Sequence, residues 1–234
     1  MDTSGILLFG RTRAITQALH TQFRERHVEK EYRAIVMGHW PEFCTRGNID
    51  LALKKDHAFP PFMRVATPQS EMDAKQALKD LHNAGWKKIV NQNPKPSKTG
   101  FEVIRRGNTS KHNLPYTYIR LIPITGRTHQ LRVHCAALGF AIAGDPTYSI
   151  FGEASPVGGL GHMKHVIDSE IDIDQSVADY QPSLDQQEEW IRTYAPNDNP
   201  MCLHAAKLCF THPTTNKPLC FDTEPKFDDY LAQF

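Results

Sequence analysis

The stretch of residues 121–148 restricts the possible fold most, because it places the signatures of a strand, a turn and a helix in one short segment. Apolar residues up to Ile124 indicate a strand, and residues 125–127 (Thr-Gly-Arg) favour a turn. Thr128 can cap a helix through its hydroxyl, and Gly139 favours the positive φ of a helix end. Three apolar residues between them recur at helical spacing: Leu131, Cys135 and Leu138. This stripe is expected to face the core.

The other face of the predicted helix is polar. It carries four side chains that can form hydrogen bonds: His129, Gln130, Arg132 and His134. Arg127 lies in the turn just before the helix. A cation there suits an anionic partner, either a phosphate at the helix N-terminus or a carboxylate held by both arms of the guanidinium. The alternative interpretation is a solvated helix face with one structural ion pair.

Hydrophobic periodicity along the chain predicts short strands joined mostly by hairpins, with a few helices beside them. Strands are expected at residues 5–9, 31–37, 101–104, 116–122, 201–210 and 216–221, with a turn at 105–108. Helices are expected near residues 15–23, 71–84, 184–193 and 227–231, whereas residues 41–70 are expected to be loop-rich, with a possible short strand at 51–53. This pattern predicts an α/β fold of the α+β type, an antiparallel-rich mixed sheet with flanking helices.

The charge of the chain is unevenly distributed. Residues 151–200 contain ten acidic and two basic residues, although the net charge of the whole chain is only +1. The remainder is therefore basic, as a protein that binds a polyphosphate needs to be. We interpret residues 151–200 as an acidic insertion that points away from such a partner, and residues 66–98 as a helical, basic insertion within a single domain spanning residues 1–234.

The cysteines and histidines give little sign of a metal site or of disulfides. The five cysteines include no C-x-x-C pair. This pattern predicts a reducing compartment (cytoplasm, nucleus or an organelle), without a disulfide framework or a zinc ribbon. His129 and His134 lie five positions apart, which does not stack them as ligands on a helix. No apolar run approaches the roughly 18–20 residues needed to span a bilayer.

Four sequence motifs in the same order resemble the RluA family of pseudouridine synthases. Residues 125–134 read TGRTHQLRVH, and they are followed by LG and by GDPTY. Near the C-terminus the chain carries LHA and an F-x-H-P ending. Residues 3–9 (TSGILLF) resemble the family's T-S-G-L-L-L-F segment, and residues 30–34 (KEYRA) resemble its K-x-Y-x-A segment. The resemblance spans nearly the whole chain.

This resemblance implies the pseudouridine synthase fold, with an active cleft that crosses the sheet. It implies the isomerisation of uridine to pseudouridine in tRNA or rRNA by a protein that needs no cofactor and no metal. Tyr32 is then the active-site tyrosine that packs against the target base, although a strand tyrosine taken alone is more often a core residue. Arg127 is then the residue that holds and orients a catalytic carboxylate.

RNA is the expected partner, bound by a monomer that does not contact a membrane. The RNA contacts are expected from seven side chains: Thr128, His129, Gln130, Arg132, His134, Lys95 and Lys98. A solvated lysine loop is the alternative interpretation for the two lysines.

The chain departs from the family pattern at one place. The family's catalytic aspartate lies in H-R-L-D, two residues before T-S-G, and in this sequence those two residues are Met1 and Asp2. The motif would therefore lie immediately before residue 1, and Asp2 does not occupy the position of the nucleophile. We expect the 234 residues alone to be inactive, as an N-terminally truncated synthase. The alternative is a non-catalytic RNA-binding protein that retains the fold.

Overall fold

A computed structural model describes residues 3–56, 61–77, 91–149, 183–194 and 199–232 of the chain. The strands are β1 (Ser4–Gly5), β2 (Glu29–Met37), β3 (Arg46–Asp50), β4 (Leu53–Lys55), β5 (Met63–Val65), β6 (Lys98–Asn108), β7 (Pro115–Pro123), β8 (Leu203–Thr211) and β9 (Pro218–Asp222). The helices are α1 (Arg13–Glu25), α2 (Pro68–Ala77), α3 (Gln130–Ala137), α4 (Leu184–Tyr194) and α5 (Phe227–Leu231).

Seven strands form one sheet in the order β1-β8-β2-β7-β6-β3, with β9 paired to β8. All these pairs are antiparallel except β1 with β8. Strands β4 and β5 form a separate two-stranded sheet. The predicted fold class, an antiparallel-rich mixed sheet with flanking helices, is confirmed.

The core packs against β2 and β7, the two neighbouring strands at the centre of the sheet. Three consecutive residues of β2 are fully buried: Ala34, Ile35 and Val36. In β7, Ile119 and Leu121 alternate with more exposed residues, as expected of a strand with one buried face. Helix α3 is buried almost throughout, so the motif that dominates the sequence lies in the core rather than on the surface.

Helix α1 confirms its predicted amphipathic pattern. The Thr12 hydroxyl caps it by accepting a hydrogen bond from the Ile15 N–H. Its Leu19 packs in a second, smaller cluster with three residues of β8 and of the entry into β2: Val28, Leu208 and Phe210. The helix therefore covers the β8 side of the sheet.

Several sequence-based boundaries are wrong because strand pairing, not local periodicity, decides them. The predicted strand at residues 5–9 pairs only at Ser4–Gly5, and Leu7 and Phe9 are 70% and 77% exposed. Residues 41–70 contain three strands instead of loops, since β3 pairs with β6 and β4 with β5. The predicted turn at 105–108 continues β6, which pairs with β7 as far as Asn108.

The predicted helix at residues 71–84 begins earlier than expected, at Pro68, and is described as far as Ala77. The predicted helices at 184–193 and 227–231 are confirmed as α4 and α5. Most of the proposed acidic insertion, and residues 78–90 of the proposed basic one, lie outside the described residues. Across the described ranges, every helix is too short or too polar to cross a lipid bilayer.

The expectation that the chain forms no disulfide is wrong. Cys209 and Cys220 are directly opposite each other on the paired strands β8 and β9, with their Cα atoms 4.1 Å apart, and they form a disulfide. No short-range motif indicates this pair, since the two residues are 11 positions apart and meet only through the hairpin. The other three cysteines are free.

Candidate active site

The Thr-Gly-Arg turn is held by the side chain of Gln130. Its Oε1 accepts hydrogen bonds from the Thr125 hydroxyl at 2.7 Å and from the Arg127 N–H at 3.0 Å. Its Nε2 donates to the Lys98 carbonyl and to the Thr99 hydroxyl, both at 3.0 Å. Gln130 is only 3% exposed, so the expectation that it contacts RNA is wrong. It fixes the backbone that presents Arg127.

The first turn of α3 also differs from the prediction. Thr128 does not cap the helix; the N-cap is His129, in the left-handed region with φ of 52° and without a capping side chain. The His129 Nδ1 lies 2.8 Å from the Tyr148 hydroxyl. That hydroxyl also accepts a hydrogen bond from the Met63 N–H, so it joins the turn to β5. Thr128 remains exposed, as an RNA contact would require.

Arg132 forms a nearly buried ion pair instead of a surface contact. Its Nε and Nη2 donate to the two carboxylate oxygens of Asp145 at 2.8 and 2.5 Å. The Arg132 side chain is 11% exposed and that of Asp145 is 0% exposed. Asp145 also accepts hydrogen bonds from the N–H groups of Thr147 and Tyr148. Arg132 therefore does not lie on an exposed polar face as predicted, and its ion pair orders the Gly-Asp-Pro-Thr-Tyr segment.

His134 is the third helix residue that the sequence places wrongly. It is fully buried; its Nδ1 lies 2.9 Å from the Thr99 hydroxyl and its Nε2 lies 3.1 Å from the Leu51 carbonyl. The carbonyl can only accept, so Nε2 carries the proton and Nδ1 accepts from the hydroxyl. His134 is thus a neutral residue that ties α3 to β6 and to the segment before β4.

The neutral state of His134 predicts sensitivity to acid. Burial lowers the pKa of His134 to about 4, whereas an unfolded histidine titrates near 6.5. The unfolded chain takes up the proton first, so the free energy of unfolding should fall as the pH drops through this window. At about pH 4.5 we expect a loss of about 2–3 kcal/mol from this group.

Urea unfolding of the native chain and of His134→Gln, at neutral pH and at about pH 4.5, checks this. The variant should be less stable at neutral pH, because it disturbs two buried hydrogen bonds, but its stability should depend less on pH. An unchanged pH dependence in the variant would contradict the assignment.

Tyr32 lies on β2, opposite Leu121 on β7 and Ala205 on β8. It lines a cavity of about 350 Å³ between β2, β8 and the segment that follows β1. Burial raises the pKa of its hydroxyl, which keeps the group protonated at neutral pH. The tyrosine is thus half-buried rather than sealed in the core, and it shares its cavity with Ile6, Leu7 and Leu8, which follow the T-S-G residues.

Lys30 is a residue that sequence reasoning did not single out, although it opens the Lys-x-Tyr pattern. It lies two positions before Tyr32 on the same strand and lines the same cavity. Its Nζ would lie 3.4 Å from a Cβ built on Gly126, so it reaches the Thr-Gly-Arg turn. Burial lowers the pKa of its ammonium group. Within the described ranges, no carboxylate forms an ion pair with it.

Arg127 lines a different, smaller cavity of about 200 Å³. Its Nε lies 3.4 Å from the Pro96 carbonyl, and no acidic partner of it occurs among the residues that the structure describes. Tyr32 and Arg127 therefore line separate cavities, and Lys30, in the wall of the Tyr32 cavity, reaches Gly126 in the wall of the Arg127 cavity. Two lysines are predicted to contact RNA. Lys95 lines the smaller cavity, and the Nζ of Lys98 lies 3.4 Å from a carboxylate oxygen of Asp50.

The sequence pattern that defines the RNA pseudouridylate synthase family matches residues 1–137, more than half of the chain. The chain belongs to this family. A dual-specificity RNA pseudouridine synthase, RluA, of Pasteurella multocida (strain Pm70) is 30% identical over 229 residues, covering 97% of this chain and 71% of that protein. The ribosomal large subunit pseudouridine synthase C of Vibrio vulnificus (strain CMCP6) is 31% identical over 218 residues, covering 93% of this chain and 47% of that protein.

A solved structure of human RNA pseudouridylate synthase domain containing 1 superposes with a TM-score of 0.56 at 24% sequence identity. The match covers 94% of this chain and 64% of the human chain. At this identity the likeness concerns the fold alone. Together with the family match, it shows that the chain has the pseudouridine synthase fold.

Proposed function

We propose that the protein isomerises uridine to pseudouridine in structured RNA, either tRNA or rRNA. In this reaction the bond between the ribose C1′ and the uracil N1 breaks, the base turns, and a bond between C1′ and C5 forms. The proton that C5 loses is balanced by the one that N1 gains, so substrate and product contain the same atoms. The observation that carries the proposal is the family match over the segments that hold Tyr32 and Arg127.

Each of these residues suits one step. Arg127 presents a guanidinium on a turn whose backbone Gln130 holds in place, and such a fork can keep a carboxylate ionised and oriented. Tyr32 offers a half-buried aromatic face, against which a uracil that has left its stack can pack. Lys30 adds a cation between the two, which suits the charge of an RNA substrate.

Of the seven side chains expected to contact RNA, four keep a polar group at the surface or at a cavity: Thr128, His129, Lys95 and Lys98. We keep these four as proposed RNA contacts. We propose no single RNA as the substrate and keep both tRNA and rRNA. One relative is named a dual-specificity synthase, and the other is named for the large ribosomal subunit.

The proposal is tested by a pseudouridine assay on unmodified tRNA and rRNA transcripts, with nucleosides quantified by mass spectrometry. Two proteins are compared: this chain, and the chain extended by the reading frame upstream of its first codon. We expect the extended protein to form pseudouridine. If neither protein does, while both bind RNA in a salt-dependent way, the function is binding without catalysis.

A further inference from the structure

The smaller cavity beside the Thr-Gly-Arg turn has firm walls. It lies between β4, the chain segment around Lys95 and the turn itself. The N–H of Leu53 donates to the Lys95 carbonyl at 2.9 Å, and the N–H of Lys95 donates to the Leu53 carbonyl at 2.8 Å. Lys95 and Leu53 therefore form an isolated antiparallel bridge at the start of β4. This pairing fixes the distance between the lysines on the two walls.

The lining of this cavity is cationic. Four basic side chains line it: Lys54, Lys55, Lys95 and Arg127. Lys54 is buried and donates to Glu71 at 2.6 Å, so it is committed to the protein. The structure gives the other three no ion pair within its described ranges, and no Asp or Glu among the described residues lines the cavity. An anion is the ligand that such a lining favours.

Neutral donors complete the lining. Thr128, Gln92 and Asn93 also line the cavity, and their side chains carry a hydroxyl and two amides that can donate hydrogen bonds. Helix α3 begins at Gln130, two residues after Thr128, so the positive end of its dipole faces this region. Amide, hydroxyl and ammonium donors together match the oxygens of a phosphate group.

The volume limits what can enter. About 200 Å³ is below the roughly 300–1,000 Å³ of pockets that enclose a drug-sized ligand. A single phosphate group with bound water suits a cavity of this size. The cavity lined by Tyr32 is larger, about 350 Å³, and is the better candidate for the base of the target nucleotide.

We propose that this cavity binds one backbone phosphate of the RNA substrate next to the target nucleotide, with Lys55 and Lys95 as its main cations. The inference rests on the proposed function, since it takes RNA as the substrate. Lys55 has no place in the sequence-based set of RNA contacts. Gly126, Arg127 and Thr128 line this cavity, so a bound phosphate lies next to the Thr-Gly-Arg turn.

The test compares two double variants with the same change in charge. Lys55→Gln with Lys95→Gln removes the two exposed cations of the cavity. Lys111→Gln with Lys217→Gln removes two exposed lysines elsewhere: Lys111 in the turn between β6 and β7, and Lys217 in the turn between β8 and β9. Binding of inorganic phosphate is followed by ³¹P line broadening, and binding of bulk tRNA is measured over a range of salt concentrations.

We expect the cavity variant to lose the phosphate-dependent broadening. When the logarithm of its tRNA affinity is plotted against the logarithm of the salt concentration, the slope should be smaller in magnitude by about one. This is the effect of one lost phosphate contact. The control variant should behave as the native chain does in both measurements. Thermal unfolding of all three proteins checks that the substitutions leave the fold intact.

Three results would overturn the inference. If the cavity variant binds inorganic phosphate as the native chain does, the cavity is not an anion site. If it loses inorganic phosphate but keeps the native salt dependence with tRNA, the cavity takes a free anion and not RNA. If the native chain fails to bind any RNA, the proposed function fails, and the phosphate titration alone then decides whether the anion site exists.

Discussion

Replacing Arg127 with methionine should lower the rate of pseudouridine formation by about 10²–10³-fold, the usual effect of removing one preorganised hydrogen-bond donor from an active site. Methionine keeps the unbranched stem of the side chain and removes the guanidinium that we propose holds the carboxylate. The assay uses whichever form of the chain, as given or extended upstream, makes pseudouridine. Single-turnover rates on an unmodified transcript measure the chemical step directly.

The fold should survive this change. Gln130 fixes the turn through the backbone N–H of Arg127, not through its side chain, and that hydrogen bond remains in the variant. Arg127→Lys keeps the charge but loses the planar fork, so its rate should fall between the two. Arg46→Met serves as the control, because Arg46 is exposed on edge strand β3. A variant at position 127 that keeps the native rate would exclude Arg127 from catalysis.

The sequence locates this site better than it describes the surroundings of each residue. The apolar stripe of Leu131, Cys135 and Leu138 is buried, as helical spacing predicts. The polar residues between them are buried as well, because their partners come from other parts of the chain. Thr99 lies on β6, Leu51 lies just before β4, and Asp145 lies in the segment after the helix. A pattern read along one helix cannot contain this information.

The strands expected at 31–37, 116–122, 201–210 and 216–221 agree with β2, β7, β8 and β9. The strands that the sequence missed have the same cause as the misplaced helix residues, because their partners lie elsewhere in the chain. Strand β3 carries charged and polar residues such as Arg46 and Asp50, and its pairing with β6, not its own composition, makes it a strand. By contrast, α1 and α5 agree with their predicted positions, because an amphipathic face is a local signal. Lys30 was overlooked for another reason. Its Lys-x-Tyr pattern was visible, but its contact with the Gly126 turn exists only in the folded chain.

Replacing Arg132 with methionine should lower the free energy of unfolding by about 3–5 kcal/mol, because it leaves a buried carboxylate without its partner. The side chain of Asp145 is 0% exposed, so water cannot replace the guanidinium. Arg132 also lies 5.1 Å from the centre of the Tyr148 ring, so its loss removes a cation–π contact as well. Urea unfolding at neutral pH, followed by circular dichroism, measures the change.

A second substitution separates the buried charge from lost packing. In the double variant Arg132→Met with Asp145→Asn, the carboxylate is gone, while the amide oxygen can still accept the N–H groups of Thr147 and Tyr148. The double variant should therefore regain part of the lost stability. If it is no more stable than Arg132→Met alone, packing and not charge explains the loss. Arg192→Met breaks an exposed pair with Glu188 and should change stability by less than about 0.5 kcal/mol.

The same variants also connect stability to the site. Asp145 holds the backbone of Tyr148, whose hydroxyl contacts His129 next to the Thr-Gly-Arg turn. Loss of Arg132 should therefore slow pseudouridine formation even under conditions where the variant is fully folded, because the turn is then less firmly held. The double variant Arg132→Met with Asp145→Asn should recover more of the stability than of the rate. Its amide at position 145 lacks the paired guanidinium, so it holds the Gly-Asp-Pro-Thr-Tyr segment less firmly than the native ion pair does.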